Sequence, residues 1–255
     1  MKYIPKGLEP EKLANYKTLK PYNTWPQFAR VEHRRLPVQD QLKEDQGWLC
    51  AYCEIDLIDK TMDGDADFRV EHFHPKSDTT SGHNWHLDWQ NLLGCCHGGS
   101  QSTVADSATR FTSPDTSCDV PKGDKNLDGI ILNPRHIPAS PALFSCSRST
   151  GELSVLAHNC QAAGVSVEQA EETIQELNLN APRLNRLRKQ VLNELNKQLR
   201  TVVEQGEDVG LARKKLARVH LSKNQAGRWQ AFFTAIRSYL GSDAELHLEE
   251  SGYQG

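Results

Sequence analysis

Between Cys50 and Gly123, residue types that bind metals and move protons recur at short, ordered spacings. They are Cys50-Ala51-Tyr52-Cys53-Glu54, Val70-Glu71-His72-Phe73-His74-Pro75-Lys76-Ser77, Trp89-Gln90-Asn91-Leu92-Leu93-Gly94-Cys95-Cys96-His97 and Cys118-Asp119-Val120-Pro121-Lys122-Gly123. Two separate chemistries are implied. Zinc takes four thiolate or imidazole ligands in a tetrahedron, and paired knuckles supply two ligands each from tight turns. Cys50 and Cys53 form the first pair. Cys96 with Cys118 is the favoured second pair, Cys95 competing with Cys96, and the residues between 96 and 118 then form an insertion in the second knuckle.

The second chemistry is hydrolysis of a phosphodiester. It needs a base to take a proton from water and a divalent cation to stabilise the charge that builds on the phosphoryl oxygens. His72 is the candidate base, and Glu71 beside it, with Asp119 after the last cysteine, offers oxygen ligands to a hard Mg²⁺ or Mn²⁺. His97 is the alternative to Asp119. Asn91 carries an amide that holds either the imidazole or the hairpin backbone, since such partners set the ring angle of a base. Lys76 and Lys122 are candidates to meet phosphate oxygens of a nucleic acid. Blander readings exist for each residue: unligated core cysteines, a chance Glu-His pair, a turn asparagine, solvated lysines. The order of the four segments weighs against them together. His74, His83 and His86 read as loop residues without a role.

The elements that must position these groups are read from periodicity. Residues 8–46 carry apolar side chains at loose three-to-four spacing, interrupted by Pro21, Pro26 and Pro37, which predicts an N-terminal helical segment over 1–46, closed by Gly47. Residues 47–140 form the candidate core of the site. Up to Pro134 they are rich in Gly, Asp, Ser and Thr and poor in periodic apolar runs, so a metal staple is the expected source of order. Helix formers dominate 141–240, the candidate partner-binding region. Ser166 with Gln169 reads as a capping box, Asn180-Ala181-Pro182 as the start of a leucine-bearing helix, and 211–221 and 225–240 as two more helices. The acidic tail 241–255 lacks periodicity and reads as mobile.

With 255 residues, 37% hydrophobic and 25% charged, the composition is that of a globular chain of one or two domains. A net charge of -3 excludes coating of nucleic acid by bulk charge, but not a local positive patch. Seven cysteines without an apolar leader point to a reducing, cytoplasmic setting and to metal rather than disulfides, with Cys146 and Cys160 as plain thiols. No apolar run is long enough for a membrane span. The Arg183, Arg186, Arg188, Lys189 and Arg213, Lys214, Lys215, Arg218 groups read as solvated helix faces, the functional alternative being a track for phosphates or for an acidic partner.

The Cys50-x-x-Cys53-Glu54, Glu71-His72-Phe73-x-Pro75-Lys76-Ser77, Trp89-x-Asn91-Leu92-Leu93 and Cys118-Asp119-x-x-Lys122-Gly123 strings resemble the HNH subunit (PtuB) of the Septu antiphage defence system, including its retron-associated versions. The 170–188 helical region is also similar to that family. The resemblance implies an α+β, mostly α-helical fold: a zinc-stapled HNH (ββα-metal) nuclease core flanked by helices. It implies an endonuclease with structural Zn and catalytic Mg or Mn, in which Glu71 is a metal ligand, His72 the base, Asn91 the middle HNH residue and Asp119 the last. A PtuA-like ABC/SMC ATPase is the implied partner, joined in retron systems by a reverse transcriptase and its multicopy single-stranded DNA. The implied substrate is DNA or tRNA. Two features depart from the family pattern, the opened second knuckle and Asp119 where Asn or His is commoner. The competing reading is a non-catalytic zinc-stapled adaptor that binds nucleic acid or the ATPase, which would have no use for the Glu71-His72 pair.

Overall fold

The computed structural model describes residues 1–255. The N-terminal segment forms α1 (Glu11–Leu19), α2 (Trp25–Ala29) and α3 (Glu32–Asp45). Pro26 opens α2, where its missing N–H costs nothing. Pro37 was expected to interrupt the segment but lies inside α3, which continues because Val38 and Leu42 beyond it are buried. Gly47 ends α3 with φ +59, and a Cβ there would stand 2.2 Å from Trp229 Cδ1, so both conformation and space require glycine.

The middle of the chain contains β1 (Arg69–His72), paired antiparallel with β2 (Leu92–Cys95), with Glu71 opposite Leu93 and His72 opposite Leu92. Gln46, just after α3, sutures this hairpin to the first knuckle. Its amide nitrogen donates to the carbonyls of Leu49 and Gly94 at 2.7 Å, and its amide oxygen accepts from Gly94 N–H at 2.7 Å. Two short helices follow, α4 (Ser107–Arg110) in the insertion and α5 (Asp119–Lys122) directly after Cys118. A second hairpin, β3 (Phe144–Cys146) with β4 (Leu153–Val155), went unread in the sequence because three-residue strands carry too little alternation to register.

The C-terminal half contains α6 (Ala157–Ala162), α7 (Val167–Glu176), α8 (Pro182–Glu204), α9 (Val209–His220), α10 (Phe233–Leu240) and α11 (Ser242–Glu250). Ser166 caps α7 by accepting from Gln169 N–H, but the Gln169 amide reaches the Gly129 carbonyl instead of closing the box. Asn180 does not cap α8. Its amide pairs with the backbone of Leu153, tying α8 to β4. The helix expected over 225–240 begins only at Phe233, because the backbone before it is committed elsewhere: Phe232, at φ +61, donates its N–H to the Glu54 carbonyl. The Thr234 N–H and hydroxyl then donate to the Glu54 carboxylate at 2.8 and 2.6 Å. This demand of the first knuckle overrides local helix propensity.

A main apolar core runs from Leu13, Phe28 and Leu42 through Tyr52, Trp89 and Leu92 to Phe144, Leu177, Leu184 and Leu192, and a smaller second cluster joins Leu49 and Leu195 to Leu216, Phe233, Ile236, Leu240 and Leu248 of α9, α10 and α11. The main core crosses the boundaries at 46 and 140. The 241–255 tail is a correction of a different kind. Most of it is helix α11, with Ala244 and Leu248 buried and the Tyr253 ring stacked 5.3 Å from Phe233. Two small apolar residues four apart make too short a stripe to stand out in an acidic sequence. No helix is long and apolar enough to cross a membrane.

Packing of α11 predicts that Leu248→Ala lowers stability by roughly 2–5 kcal/mol in urea unfolding, whereas a mobile tail gives a change near zero.

Candidate metal centre and active site

Four sulfurs converge where the two knuckles meet. The Sγ atoms of Cys50, Cys53, Cys96 and Cys118 are buried and lie within 4.8 Å of one another. Cys50 to Cys118 is 3.8 Å, Cys53 to Cys96 3.7 Å and Cys96 to Cys118 3.6 Å. A tetrahedron of thiolates at about 2.3 Å from zinc has edges of about 3.8 Å, so the cluster fits that ion. Burial, joined by the neighbouring Cys50, pushes the Cys118 thiol well above its ordinary range. Four sulfurs in so dry a space cannot all ionise unaided, and a divalent cation removes that conflict. Cys118 sits at φ +64, a strained backbone for a side-chain-bearing residue, and its N–H is held by the Leu177 carbonyl at 2.8 Å. Buried Arg183 of α8 lies close enough to Cys96 and Cys53 to feel their charge and donates to Ser117 Oγ at 2.9 Å.

Cys118 hands the chain directly to α5, and α5 faces β1. Arg69 and Glu71, two apart on a strand, share one side of the hairpin. Arg69 Nε pairs with Asp119 Oδ2 at 2.6 Å, and Lys122 Nζ pairs with Glu71 Oε1 at 2.8 Å. Burial first, then the Asp119 charge, pushes the Glu71 carboxyl up to about 7. Asp119 is raised too, mainly by burial, although Arg69 opposes the shift. Asp119 Oδ1 has no hydrogen-bond partner although buried. Two carboxylates made uncomfortable by burial, Glu71 also by the Asp119 charge and Asp119 by Cys50, one with an idle oxygen, fit a hard divalent cation.

His72 ends β1 on the other side of the strand. Its ring meets Trp25 edge-on at 5.9 Å and His86 at 6.2 Å. Nε2 lies 3.1 Å from the His86 carbonyl oxygen, which can only accept, so this nitrogen carries the proton and Nδ1 keeps the lone pair. Burial pushes the imidazole down to about 3, outweighing that bond, which leaves the ring neutral at pH 7. Asn91 does not touch the ring. Its Oδ1 accepts from His74 N–H at 2.7 Å and its Nδ2 donates to the carbonyls of His74 and Trp85 at 3.0 and 3.1 Å, pinning the loop that follows β1.

Several expected positions are thereby revised. Lys122, a candidate for phosphate contact, is 1% exposed and internal: Nζ donates to the His72 carbonyl at 3.0 Å while pairing with Glu71, so it clamps the Glu71-His72 backbone. His97 is not beside Glu71 and Asp119. Its N–H and Nδ1 both bind Asp67 Oδ1, and the other oxygen of that carboxylate, Oδ2, anchors the insertion through Arg110. Cys95 is buried beside the sulfur cluster but is not one of its four members. Arg183 and Arg188, read as part of a solvated face, are buried at 1% and 2%. Lys76 stays half-exposed and close enough to His72 and His86 to lower both imidazoles. Arg69 and His86 were not anticipated. The i, i+2 spacing to Glu71 was an available signal for Arg69, as was i, i+3 from Asp119 for Lys122; nothing in the sequence marked the His86 carbonyl.

No family model matches the chain. It is 35% identical over 218 residues to an Escherichia coli protein named as the HNH endonuclease of retron Ec83, a match covering 77% of this chain and 81% of that protein. The chain belongs to that HNH endonuclease family. The sulfur cluster and the charged cluster are joined through consecutive residues, Cys118 and Asp119.

Two outcomes follow for this HNH endonuclease. Cys96→Ala loses bound zinc by elemental analysis while Cys95→Ala retains it. Were Glu71 a ligand of a hard cation, binding would displace the proton that Glu71 holds below about pH 7, and Mn²⁺ affinity would rise with pH through that range, by up to about tenfold per unit for one proton. Calorimetry in two buffers of different ionisation enthalpy reads the released proton; affinity independent of pH from 6 to 8 contradicts the assignment.

Proposed function

We propose that the chain is the nuclease effector of a retron-linked, Septu-type antiphage defence system, hydrolysing phosphodiester bonds of DNA or tRNA by metal-assisted general-base catalysis. The observation that carries the reading is His72: a neutral imidazole with Nε2 fixed by a backbone carbonyl, next in sequence to Glu71, whose strand α5 faces with Asp119. The β1–β2 hairpin followed by α5 supports a ββα-metal core, with the four cysteines as its zinc staple.

Glu71 and Asp119 would hold the Mg²⁺ or Mn²⁺, which supplies Lewis-acid stabilisation of the charge building on the phosphoryl and leaving oxygens. His72 takes the proton from the attacking water at Nδ1. Lys122 fixes the backbone between base and carboxylates, so a phosphodiester lying across the end of β1 meets both. Asn91 holds the following loop rigid, and Lys76 meets the incoming phosphate. Glu71 keeps 12% of its side-chain surface against 1% for Lys122, which suits a ligand and a clamp respectively.

A net charge of -3 gives the chain little general hold on nucleic acid, which supports delivery of substrate by partners. A PtuA-like ABC/SMC ATPase, with the retron reverse transcriptase and its multicopy single-stranded DNA, fills that role in this reading. Exposed Arg186 and Lys189 on α8 and Lys214, Lys215 and Arg218 on α9 offer the contact surface.

In the reconstituted or coexpressed system, His72→Ala lowers cleavage roughly 10²–10⁴-fold with zinc content unchanged. Cutting retained by that variant refutes the catalytic role. Sequencing of the cut ends separates anticodon breaks in tRNA from scattered breaks in DNA.

A further inference from the structure

A cavity of about 750 Å³ opens beside the loop that follows β1, on the segment next to His72, and the chemistry described above leaves it unused. Its size lies within the roughly 300–1,000 Å³ of pockets that hold compact ligands. Phe73, His74 and Asn91 line it, so its wall is the stretch that Asn91 pins next to the catalytic base.

The wall is rigid and aromatic. The Trp85 ring packs 3.9 Å from the His74 ring at 31°. His74 is itself locked between Asp128, at 2.6 Å from Nδ1, and Asp78, at 2.9 Å from Nε2. Facing this wall is a floor of Ile131, Ile137 and Val165. Around the rim stand groups that donate and accept hydrogen bonds in a neutral register: Gln90, Asn133 and Gln169, with His136 exposed at the edge.

The charges in the lining are already committed. Asp128 holds His74, Asp88 holds His83 at 2.9 Å, and the Arg135 guanidinium is bound to Gln90 through both terminal nitrogens, its buried Nε alone left without a partner. The carboxylates of the lining disfavour a phosphate, and a purely apolar guest would strand the amide ends left without a protein partner, Gln90 Nε2, Asn133 Nδ2 and Gln169 Oε1. A flat heteroaromatic with edge donors and acceptors satisfies both constraints: its ring packs against the aromatic cluster of His74, Trp85 and His83 and the apolar lining, and its edge reaches the amides.

We propose that this cavity binds a nucleobase turned out of the substrate strand, making it a nucleotide-reading pocket beside the cleavage site. The proposal rests on the nuclease reading. It assigns the enzyme a preference for unpaired nucleotides next to the scissile bond, because a paired base must first be unstacked at a cost of a few kcal/mol.

The test is saturation-transfer NMR on the full-length, zinc-loaded protein with AMP, GMP, CMP and UMP and their deoxy counterparts as probes. At least one nucleotide is expected to receive saturation at its base protons more strongly than at its sugar. Val165→Trp, which fills the floor, is expected to weaken binding at least roughly tenfold, and His136→Ala, at the exposed rim where folding is not at stake, severalfold. Inorganic phosphate does not displace the nucleotide. A ribose preference marks an RNA substrate and a deoxyribose preference DNA. Absence of saturation transfer to every base, undiminished transfer in the His136→Ala protein, or displacement by phosphate overturns the proposal. Nucleotide binding is read without cleavage, so loss of the pocket leaves the His72 assignment standing, and loss of cutting leaves the pocket.

Discussion

Convergence of four buried sulfurs is the constraint on which the rest of the structure depends. Cys50 and Cys53 stand after α3, Cys96 directly after β2, and Cys118 at the far end of a long insertion. Bringing them within 4.8 Å fixes three otherwise independent parts of the chain against each other. The closing cysteine matters most, because the residue after it is Asp119 and the end of the same short helix is Lys122. Holding Cys118 at a strained φ therefore aims α5 at β1 and delivers one partner to each of Arg69 and Glu71. A helix of four residues has no stability of its own. Its position is imposed by the sulfur cluster on one side and the Leu177 carbonyl on the other.

The same arrangement concentrates charge where little water can reach it. Glu71 and Asp119 face each other among Lys122, Arg69 and the thiols, and both carboxyls titrate above their ordinary values because burial and repulsion outweigh their cationic partners. Such a pair stores a preference for a cation. His72 is placed oppositely. Burial keeps it neutral, and the carbonyl of His86 selects the tautomer that leaves the lone pair on Nδ1. Base and carboxylates thus sit on two sides of one strand end, joined through Lys122, which binds the Glu71 carboxylate and the His72 carbonyl at once.

Much of this was legible in the residues themselves. Cysteine spacing named the four sulfurs, since Cys96 rather than Cys95 was the favoured member, and the helices of the first and last thirds followed from apolar periodicity and from Ser166 and Pro182. What escaped notice depended on contacts remote in sequence. Lys122 looks like any loop lysine until α5 folds against β1, and Arg183 like any solvated arginine until α8 docks on the second knuckle. Glu54 dictates where α10 begins from 180 residues away. His97, the alternative to Asp119 because it follows Cys96 directly, binds Asp67 on the side of the insertion. Helix α11 lay hidden in an acidic segment whose two buried residues gave no period to read.

The central proposal is that one stretch of chain carries two metal sites of opposite character, a soft one among the four cysteines that holds the fold and a hard one at Glu71 and Asp119 that serves the chemistry. Anomalous diffraction from crystals grown with both Zn²⁺ and Mn²⁺, measured at each absorption edge, separates them directly. The account predicts a zinc peak among the sulfurs of Cys50, Cys53, Cys96 and Cys118 and a manganese peak bound by the carboxylates of Glu71 and Asp119. A manganese peak elsewhere, with Glu71 and Asp119 still bound only to Lys122 and Arg69, would contradict it.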